Sequence, residues 1–237
     1  MKETGFTYSS KYYSERSNNS PKLIRSKGDL ERIRKIVEFV GENKVVLDLG
    51  CFNGDIGIII KKNNNKVYGL DASESATKVA NELGIIAKVG NLEDSLGYED
   101  NSFDVCVCAE VIEHILDTDF FIEEIKRVLK PDGYLIITTP NVASFGRRIL
   151  LLLGKNPFFE ASFGFPSYAT AGHIRYFTKG LLINFLDTKG FKTIFFTSNV
   201  VNFNNSGYLS SKLFAKLFPT LGSTLIIKAQ NMKRIGN

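Results

Sequence analysis

The chain has 237 residues, of which 43% are hydrophobic, and this length can bury one substantial core without requiring a second. The formal net charge is +5, but the basic residues are scattered among acidic ones except in residues 228–234. Because a nucleic-acid-binding surface gathers its basic residues on one face, this pattern predicts no nucleic-acid partner.

The N-terminal residues, 1–28, are polar and rich in Ser and Asn, which predicts a mobile arm. The following apolar residues recur at helical spacing and predict a helix that Asp29 caps and Gly41 ends. These apolar residues are Leu30, Ile33, Ile36, Val37 and Val40.

Strands and helices then alternate along the chain. Short apolar runs predict strands at residues 44–49, 66–70, 85–89, 103–108 and 134–138, the last after a turn at residues 131–133. Helical patterns between them predict helices at residues 55–62, 74–83 (capped by Ser73) and 118–129. Strands separated by helix-length segments form a parallel sheet covered on both faces, so we predict a doubly wound α/β fold.

Beyond Pro140 this rhythm breaks, and a segment rich in Phe, Leu and Gly follows. A helix at 179–188 capped by Thr178, a strand at 191–197, a helix-like stretch at 208–218 and a closing strand at 224–229 are predicted after it. We therefore expect a single domain over residues 29–237 with a substrate-facing insertion at about 142–172.

The cysteines Cys51, Cys106 and Cys108 lie in apolar runs, and their spacing fits neither a disulfide framework nor a zinc site. Cys106 and Cys108 would share one face of a strand as small core residues. The N-terminus has no apolar segment typical of a signal peptide, and the longest apolar run, residues 149–153, is far shorter than a membrane-spanning helix. We expect a cytoplasmic protein.

In open α/β sheets, ligands bind outside the carboxyl ends of the strands. The first predicted strand ends at Asp48 and Gly50, and the turn that follows would let backbone amides approach a ligand at the start of a helix. A dinucleotide fingerprint would need Gly at Phe52 and Asp55, which makes NAD the weaker hypothesis.

The next strand ends are polar as well. Asp71 ends the second strand, where a carboxylate can accept hydrogen bonds from both ribose hydroxyls of a nucleoside. Asn91 follows the third strand, where its amide can contact an adenine amino group, and Ala109 and Glu110 end the fourth beside the crevice.

Five short runs resemble the successive motifs of class I S-adenosylmethionine-dependent methyltransferases, in that family's order and spacing. They are VLDLGC at 46–51, GLD at 69–71, SFDV at 102–105, EVIEHI at 110–115 and LKPDG at 129–133. The resemblance covers about residues 30–141 and resumes at 172–178 and 189–191.

This resemblance implies a Rossmann-like sheet of seven strands, mostly parallel with an antiparallel last strand, and helices on both faces. It implies S-adenosylmethionine as the cofactor, bound by Asp48, Gly50, Cys51, Gly54, Asp71, Ala72, Asn91, Leu92, Ala109 and Glu110. The family usually has Gly at Phe52 and Asp at Asn91. Asn91 can still accept a hydrogen bond through its amide oxygen, and Phe52 is tolerated if its backbone does not need a positive φ, so we expect weakened rather than absent binding.

The chemistry of a sulfonium methyl group consists mainly of alignment, with removal of a proton when the acceptor is a hydroxyl. The resemblance places both histidines of the chain, His114 and His173, on the acceptor side as candidate bases. Glu110, Glu113 and His114 resemble the Glu-x-x-Glu-His segment of ubiquinone-biosynthesis O-methyltransferases, where such residues lie near a divalent metal. The alternative is that His114 only orders its loop.

Two further regions concern the acceptor. Arg175 and Tyr176 are candidate substrate ligands, with Arg175 either contacting an anionic or polyol acceptor or, together with His173, pinning its loop to the sheet. The insertion is either a lid with its own core or an apolar face that rests on a membrane to reach a lipid-linked acceptor. Its notable residues are Arg147, Arg148, the leucine run, Phe158, Phe159, Phe163 and Phe165.

The sequence therefore predicts an S-adenosylmethionine-dependent methyltransferase that acts on a hydroxyl of a small molecule or of a glycan or lipid precursor. N-methylation and a catalytically silent cofactor-binding module are the alternatives. A nucleic-acid base methyltransferase is disfavoured because Ala109, Glu110 and Val111 stand where an Asn-Pro-Pro-Tyr type segment would be expected.

Overall fold

The computed structural model describes residues 26–158, 172–203 and 209–232. The helices are α1 (Lys27–Val40), α2 (Asp55–Lys61), α3 (Glu74–Glu82), α4 (Thr118–Val128), α5 (Phe145–Leu152), α6 (Lys179–Thr188) and α7 (Lys212–Leu217). The strands are β1 (Val45–Leu49), β2 (Lys66–Asp71), β3 (Ile86–Val89), β4 (Phe103–Ala109), β5 (Leu129–Pro140), β6 (Phe191–Ser198), β7 (Val201–Asn202), β8 (Ser210–Ser211) and β9 (Thr224–Asn231). Short 3-10 turns lie at Ile112–His114 and Pro219–Leu221.

The main sheet of the described residues has seven strands in the order β3-β2-β1-β4-β5-β9-β6. Strands β1 to β5 pair in parallel, whereas β9 is antiparallel to both β5 and β6. The winding reverses between β1 and β4, so their carboxyl ends open a crevice of the kind in which α/β proteins bind ligands. The predicted doubly wound sheet with an antiparallel closing strand is confirmed.

Helices cover both faces of this sheet and bury two apolar clusters against it. One cluster joins the sheet to α4 and α6, through side chains such as Phe121, Ile125 and Leu182. The other joins it to α1, α2 and α3, through Ile36, Ile60 and other side chains. The central strands are therefore apolar on both faces, which explains their continuous hydrophobic runs.

The start of α1 corrects two expectations. The helix begins at Lys27, and its cap is Ser26, whose hydroxyl accepts a hydrogen bond from the Asp29 amide, so Asp29 is a first-turn residue and not the cap. The expected arm therefore stops short of Lys27 and Gly28, and residues 1–25 lie outside the described part. Gly41 ends the helix at φ 78°, as expected.

The Pro131-Asp132-Gly133 segment is not a turn between a helix and a strand. It lies inside β5, where the pairing with β4 shifts between Phe103 and Val105 and Asp132 takes a φ of 60°. The extra residues form a bulge, which accommodates the turn-type sequence without ending the strand.

The helices and strands after Pro140 are shorter and more interrupted than the sequence predicted. Within the insertion, α5 is a regular helix, but Phe159, Phe163 and Phe165 lie outside the described residues. In the stretch predicted as helix-like from 208 to 218, Tyr208 is also outside, Ser210–Ser211 forms a strand, and the helix is limited to Lys212–Leu217. No helix of the described residues is long and apolar enough to cross a membrane.

The cysteines occupy the core. Cys51, Cys106 and Cys108 are buried free thiols. Cys106 and Cys108 stand two residues apart on β4 and are both fully buried, as expected for small core residues.

Candidate active site

The turn that follows β1 is held tightly against the end of β2. The amides of Gly50 and Cys51 both donate to the carbonyl oxygen of Leu70, at 2.8 and 3.2 Å. Gly50 has a φ of 71°, and a Cβ atom there would lie 2.5 Å from Cγ2 of Val111, so this position requires glycine. The turn therefore keeps its backbone at the crevice.

Phe52 does not meet the condition on which the sequence analysis tolerated it. Its φ is 47°, in the left-handed region that costs a non-glycine residue roughly 1–2 kcal/mol. This conformation directs the Phe52 amide to Oδ2 of Asp71, with an N–H···O distance of 2.9 Å. The strained residue thus links the turn after β1 to the carboxylate that ends β2.

Asp71 is 8% exposed, and each of its oxygens accepts a backbone hydrogen bond. Oδ2 accepts from Phe52 and Oδ1 from Ser73, both at 2.9 Å. Burial raises the pKa of Asp71, and these amide donors oppose the rise. Because a carboxylate offers about four acceptor positions, Asp71 keeps acceptor capacity for a hydroxyl donor of a ligand. Ala72, the next residue, is half-buried at the same edge.

Asp48 and Asn53 provide further acceptor atoms in the same turn. Asp48 Oδ2 and Asn53 Oδ1 are buried and have no hydrogen-bond partner among the described residues. Burial, and to a smaller extent the charge of Asp71, raises the pKa of Asp48 to about 7. Buried acceptors without partners suit a ligand that brings donors, and S-adenosylmethionine brings an ammonium group and ribose hydroxyls. On this evidence the residues present fit that cofactor.

The glycines that frame the turn differ in their surroundings. Gly54, at φ 78°, precedes α2, and a Cβ atom there would lie 3.1–3.2 Å from Ala80 and Ile85. The close packing of this glycine holds the start of α2 against α3, directly after the turn.

Asn91 follows β3 and is held by its own loop. Its Oδ1 accepts from the Glu93 amide at 3.1 Å, and its Nδ2 donates to Asp94 at 3.0 Å. The amide oxygen has a second lone pair, so the hydrogen bond expected from an adenine amino group would be an additional one. Leu92 beside it is half-buried and packs on the core.

Glu110, which follows Ala109 at the end of β4, is held by Arg32 and Thr138 and is not among the residues whose ligand atoms cluster around Glu113 and His114. It has a φ of 58°, and its Oε1 accepts from the Thr138 hydroxyl at 3.0 Å and pairs with Arg32 of α1 at 3.2 Å. The predicted metal set of Glu110, Glu113 and His114 is therefore not assembled. Left-handed backbone at Glu110 turns its side chain toward α1 instead.

A different set of three comes together on the acceptor side. Ligand atoms of Glu113, His114 and His173 all lie within 4.8 Å of one another, a spacing that could hold a metal ion. The two imidazole rings are edge to face at 4.8 Å between centroids, and His173 Nε2 lies 3.8 Å from Glu113 Oε1. The structure thus brings the two predicted bases together, and adds Glu113 to them.

Glu113 is almost fully buried, at 1% exposure. Its Oε2 accepts from the Thr139 hydroxyl at 3.0 Å, while Oε1 has no hydrogen-bond partner among the described residues. Burial, followed by the charge of Glu110, raises the pKa of Glu113 well above its usual range. A carboxyl group in this state holds a proton readily next to two imidazoles.

The neighbour of His114 Nδ1 favours one tautomer of the neutral ring. Its Nδ1 lies 3.2 Å from the carbonyl oxygen of Gly172. Because a carbonyl only accepts, this contact requires a proton on Nδ1, and the neutral ring then carries its lone pair on Nε2. The tautomer is the one that a base acting through Nε2 would need.

The segment around residues 172–176 is docked on the turn after β4. The amides of Ile174 and Arg175 donate to the carbonyl oxygen of Glu113, and the Arg175 guanidinium donates to the carbonyl oxygens of Ile115 and Leu116. These contacts agree with the loop-pinning role of Arg175, and its role as a substrate ligand stays a prediction. Tyr176 packs edge to face on Phe158 at 4.6 Å, and so links this segment to the insertion.

Arg32 and Glu113 are the site residues whose roles the sequence did not indicate. Arg32 stands on α1 and was assigned no role, although it is only 9% exposed and pairs with Glu110. Glu113 was proposed only as a metal ligand, yet it lies beside His173, sixty positions away in the chain. The sequence offered one signal for Arg32, namely a charged residue at a core position of the first helix, which would need a partner.

Residues 41–155 match a family model described as a methyltransferase domain. The chain is 35% identical over 106 residues to a ubiquinone biosynthesis O-methyltransferase of Pelagibacter ubique, covering 42% of this chain and 43% of that protein. It is 34% identical over 151 residues to a probable S-adenosylmethionine-dependent methyltransferase of Mycolicibacterium smegmatis, covering 62% and 51%. The chain spans about half the length of the curated relatives it matches.

Solved structures share the fold across more of the chain. A SAM-dependent methyltransferase from Thermotoga maritima superposes with a TM-score of 0.61 at 20% identity, covering 85% of this chain and 88% of that one. The cyclase SpnF superposes with a TM-score of 0.67 at 17% identity, covering 98% and 97%. At these identities the similarity establishes the architecture, and one of these neighbours is named for a reaction other than methyl transfer.

Proposed function

We propose that the protein is an S-adenosylmethionine-dependent methyltransferase that transfers a methyl group to a hydroxyl oxygen of a small molecule or of a glycan- or lipid-linked precursor; the match of residues 41–155 to a methyltransferase-domain model supports this. When bound, S-adenosylmethionine supplies an activated methyl group on its sulfonium. We further propose one catalytic domain over residues 29–237 that acts in the cytoplasm.

The chain's own residues would hold that cofactor along the strand ends. Asp71 accepts from the ribose hydroxyls through its remaining acceptor capacity, and Asp48 accepts donors through its unpartnered oxygen. The turn contributes Gly50, Cys51 and Gly54, and the neighbouring strand ends contribute Ala72, Asn91, Leu92, Ala109 and Glu110.

The observation that carries the choice of a hydroxyl acceptor is the pairing of His173 with the buried Glu113. A hydroxyl must lose its proton as it is methylated, and a positioned imidazole is the usual group to take it. His173 takes the proton on its imidazole ring, and the buried Glu113 carboxyl, whose Oε1 lies 3.8 Å from Nε2, positions that ring. His114, whose Nε2 carries the lone pair, is the second candidate base.

The test compares three variants at saturating S-adenosylmethionine: His173→Gln, His114→Gln and Glu113→Gln. The protein is offered phenols, catechols, sugars and primary amines, and S-adenosylhomocysteine release is measured. We expect release with a hydroxylated acceptor and a loss of turnover of at least about a hundredfold in the variant that lacks the base. Glu82→Gln, at an exposed position of α3, is the matched control and keeps full turnover.

The outcomes separate the alternatives. Transfer to amines alone would replace the proposal with N-methylation. Tight cofactor binding without transfer to any acceptor would identify a catalytically silent module. Loss of turnover with a chelator, restored by Mg²⁺, would assign the cluster of Glu113, His114 and His173 to a metal ion.

A further inference from the structure

Two short helices beyond the carboxyl edge of the sheet expose leucines to solvent. At the end of α5, Leu151, Leu152 and Leu153 are 66%, 81% and 62% exposed. In α7, Leu213 and Leu217 are 69% and 63% exposed. We refer to these five residues as the leucine surface. Exposed leucines occur singly on most proteins, but a group on neighbouring helices needs an explanation.

A row of aromatic rings joins the two helices into one unit. Phe145, at the start of α5, lies 5.4 Å from Phe203, and Phe203 lies 5.5 Å from Phe214 of α7, measured between ring centroids. Both helices also contact β7. The leucine surface is therefore carried by packed structure, with its apolar anchors fixed relative to each other.

The chain around the leucine surface carries basic charge and almost no acidic charge. No Asp or Glu occurs in residues 133–159 or from residue 188 to the end of the sequence. Lys155 and Lys216 are exposed next to the leucines, and Lys212 is paired with Glu31 of α1. Apolar side chains with a basic surround are complementary to an anionic lipid surface, into which such helices insert their apolar face by about 5–10 Å.

The position of the leucine surface agrees with this occupant. Helix α5 follows the carboxyl end of β5, and α7 precedes the end of β9 that lies beside it, so both stand at the edge where the crevice opens. We propose that the leucine surface docks the protein on an anionic lipid bilayer, with the crevice edge toward the membrane. This inference goes beyond the proposed function and does not depend on it.

The experiment is co-sedimentation of the full chain with phosphatidylglycerol vesicles and with phosphatidylcholine vesicles, without methyl donor or acceptor. We expect binding to phosphatidylglycerol that weakens as salt is raised, and little binding to phosphatidylcholine. Leu152→Gln and Leu213→Gln should each weaken binding about tenfold, because each removes one inserted leucine. Lys216→Gln should weaken it about fivefold, the contribution of one basic residue near an anionic surface.

Ile86→Gln is the matched control, because Ile86 is 49% exposed at the edge strand β3, on the far side of the sheet, and its loss should leave binding unchanged. Equal melting temperatures show that the variants are folded. Absence of binding to phosphatidylglycerol, or leucine variants that bind as the unmodified chain does, would overturn the proposal. So would self-association that the leucine variants abolish, because the occupant would then be a second copy. None of these results bears on methyl transfer.

Discussion

We expect Asp48 to destabilise the folded protein at neutral pH, so replacing it with Asn should make the protein more stable. Its side chain is 2% exposed, and its Oδ2 has no hydrogen-bond partner among the described residues. Burial raises its pKa from 3.8 to about 7, with a smaller contribution from the charge of Asp71. The folded state therefore holds the Asp48 proton more tightly than the unfolded chain does.

The sign and size of the effect follow from linkage between protonation and folding. The favourable contribution of a group with a raised pKa is complete below its unfolded pKa and is lost as the pH rises through its folded pKa. A shift of about 3 units at about 1.36 kcal/mol per unit gives roughly 4 kcal/mol lost at pH 8. Asn cannot ionise, so the Asp48→Asn variant should exceed the unmodified protein by less than about 1 kcal/mol at pH 4 and by roughly 4 kcal/mol at pH 8.

Urea unfolding of both proteins at several pH values between 4 and 8 measures this difference. Asp187→Asn is the control, because Asp187 is exposed on α6 and its substitution should give a small difference that does not change with pH. A stability difference between Asp48→Asn and the unmodified protein that stays constant from pH 4 to pH 8 would refute the reasoning. If Asp48 also accepts a donor from the cofactor, the same variant should bind S-adenosylmethionine about tenfold more weakly by calorimetry, since a hydrogen bond to a charged group contributes about 1.5 kcal/mol.

Three other substitutions test the site. Asp71→Asn should weaken S-adenosylmethionine binding about a hundredfold, as two charge-assisted hydrogen bonds of about 1.5 kcal/mol each are impaired; unchanged affinity in calorimetry would contradict the site. Gly50→Ala should lower both the melting temperature and cofactor affinity, because the new Cβ would lie 2.5 Å from Val111 Cγ2; a variant with wild-type values for both would show that the turn yields easily. Arg175→Lys should speed amide hydrogen exchange in residues 172–178, since one ammonium cannot replace the guanidinium across the carbonyl oxygens of Ile115 and Leu116; unchanged protection would argue against the pinning role.

The sheet was predictable because its strands leave a strong local signature. Each central strand is buried on both faces and so appears as a short apolar run, and polar residues such as Asp71, Asn91 and Glu110 lie at or just after the strand ends of one edge. One error was local and the other depended on tertiary contacts. The first helix gains its cap from Ser26, one turn earlier than the apolar pattern begins. The Pro131-Asp132-Gly133 segment is absorbed as a bulge because β4 pairs with β5 both before it, at Leu129, and after it, at Tyr134.

The candidate site was predictable to different degrees on its two sides. Asp71 and Asn91 follow directly from the strand ends, so knowing the strands was enough to place them. The acceptor side was not accessible in this way, since the pairing of Glu113 with His173 depends on how residues 172–176 fold back over the turn after β4. The direction of Glu110 was also hidden, because periodicity says nothing about a single residue at a φ of 58°.

This difference between the cofactor side and the acceptor side limits what can be inferred about the acceptor from similar proteins. The family match ends at residue 155, and it includes every residue proposed to hold the cofactor. His173 and Arg175, which we predict to lie on the acceptor side, are beyond it. A relative that matches only residues within 41–155 therefore shares the residues that we propose to bind S-adenosylmethionine, while its match does not reach His173, one of the two proposed bases. The named substrate of such a relative is for this reason a weaker guide to the acceptor than the groups around Glu113.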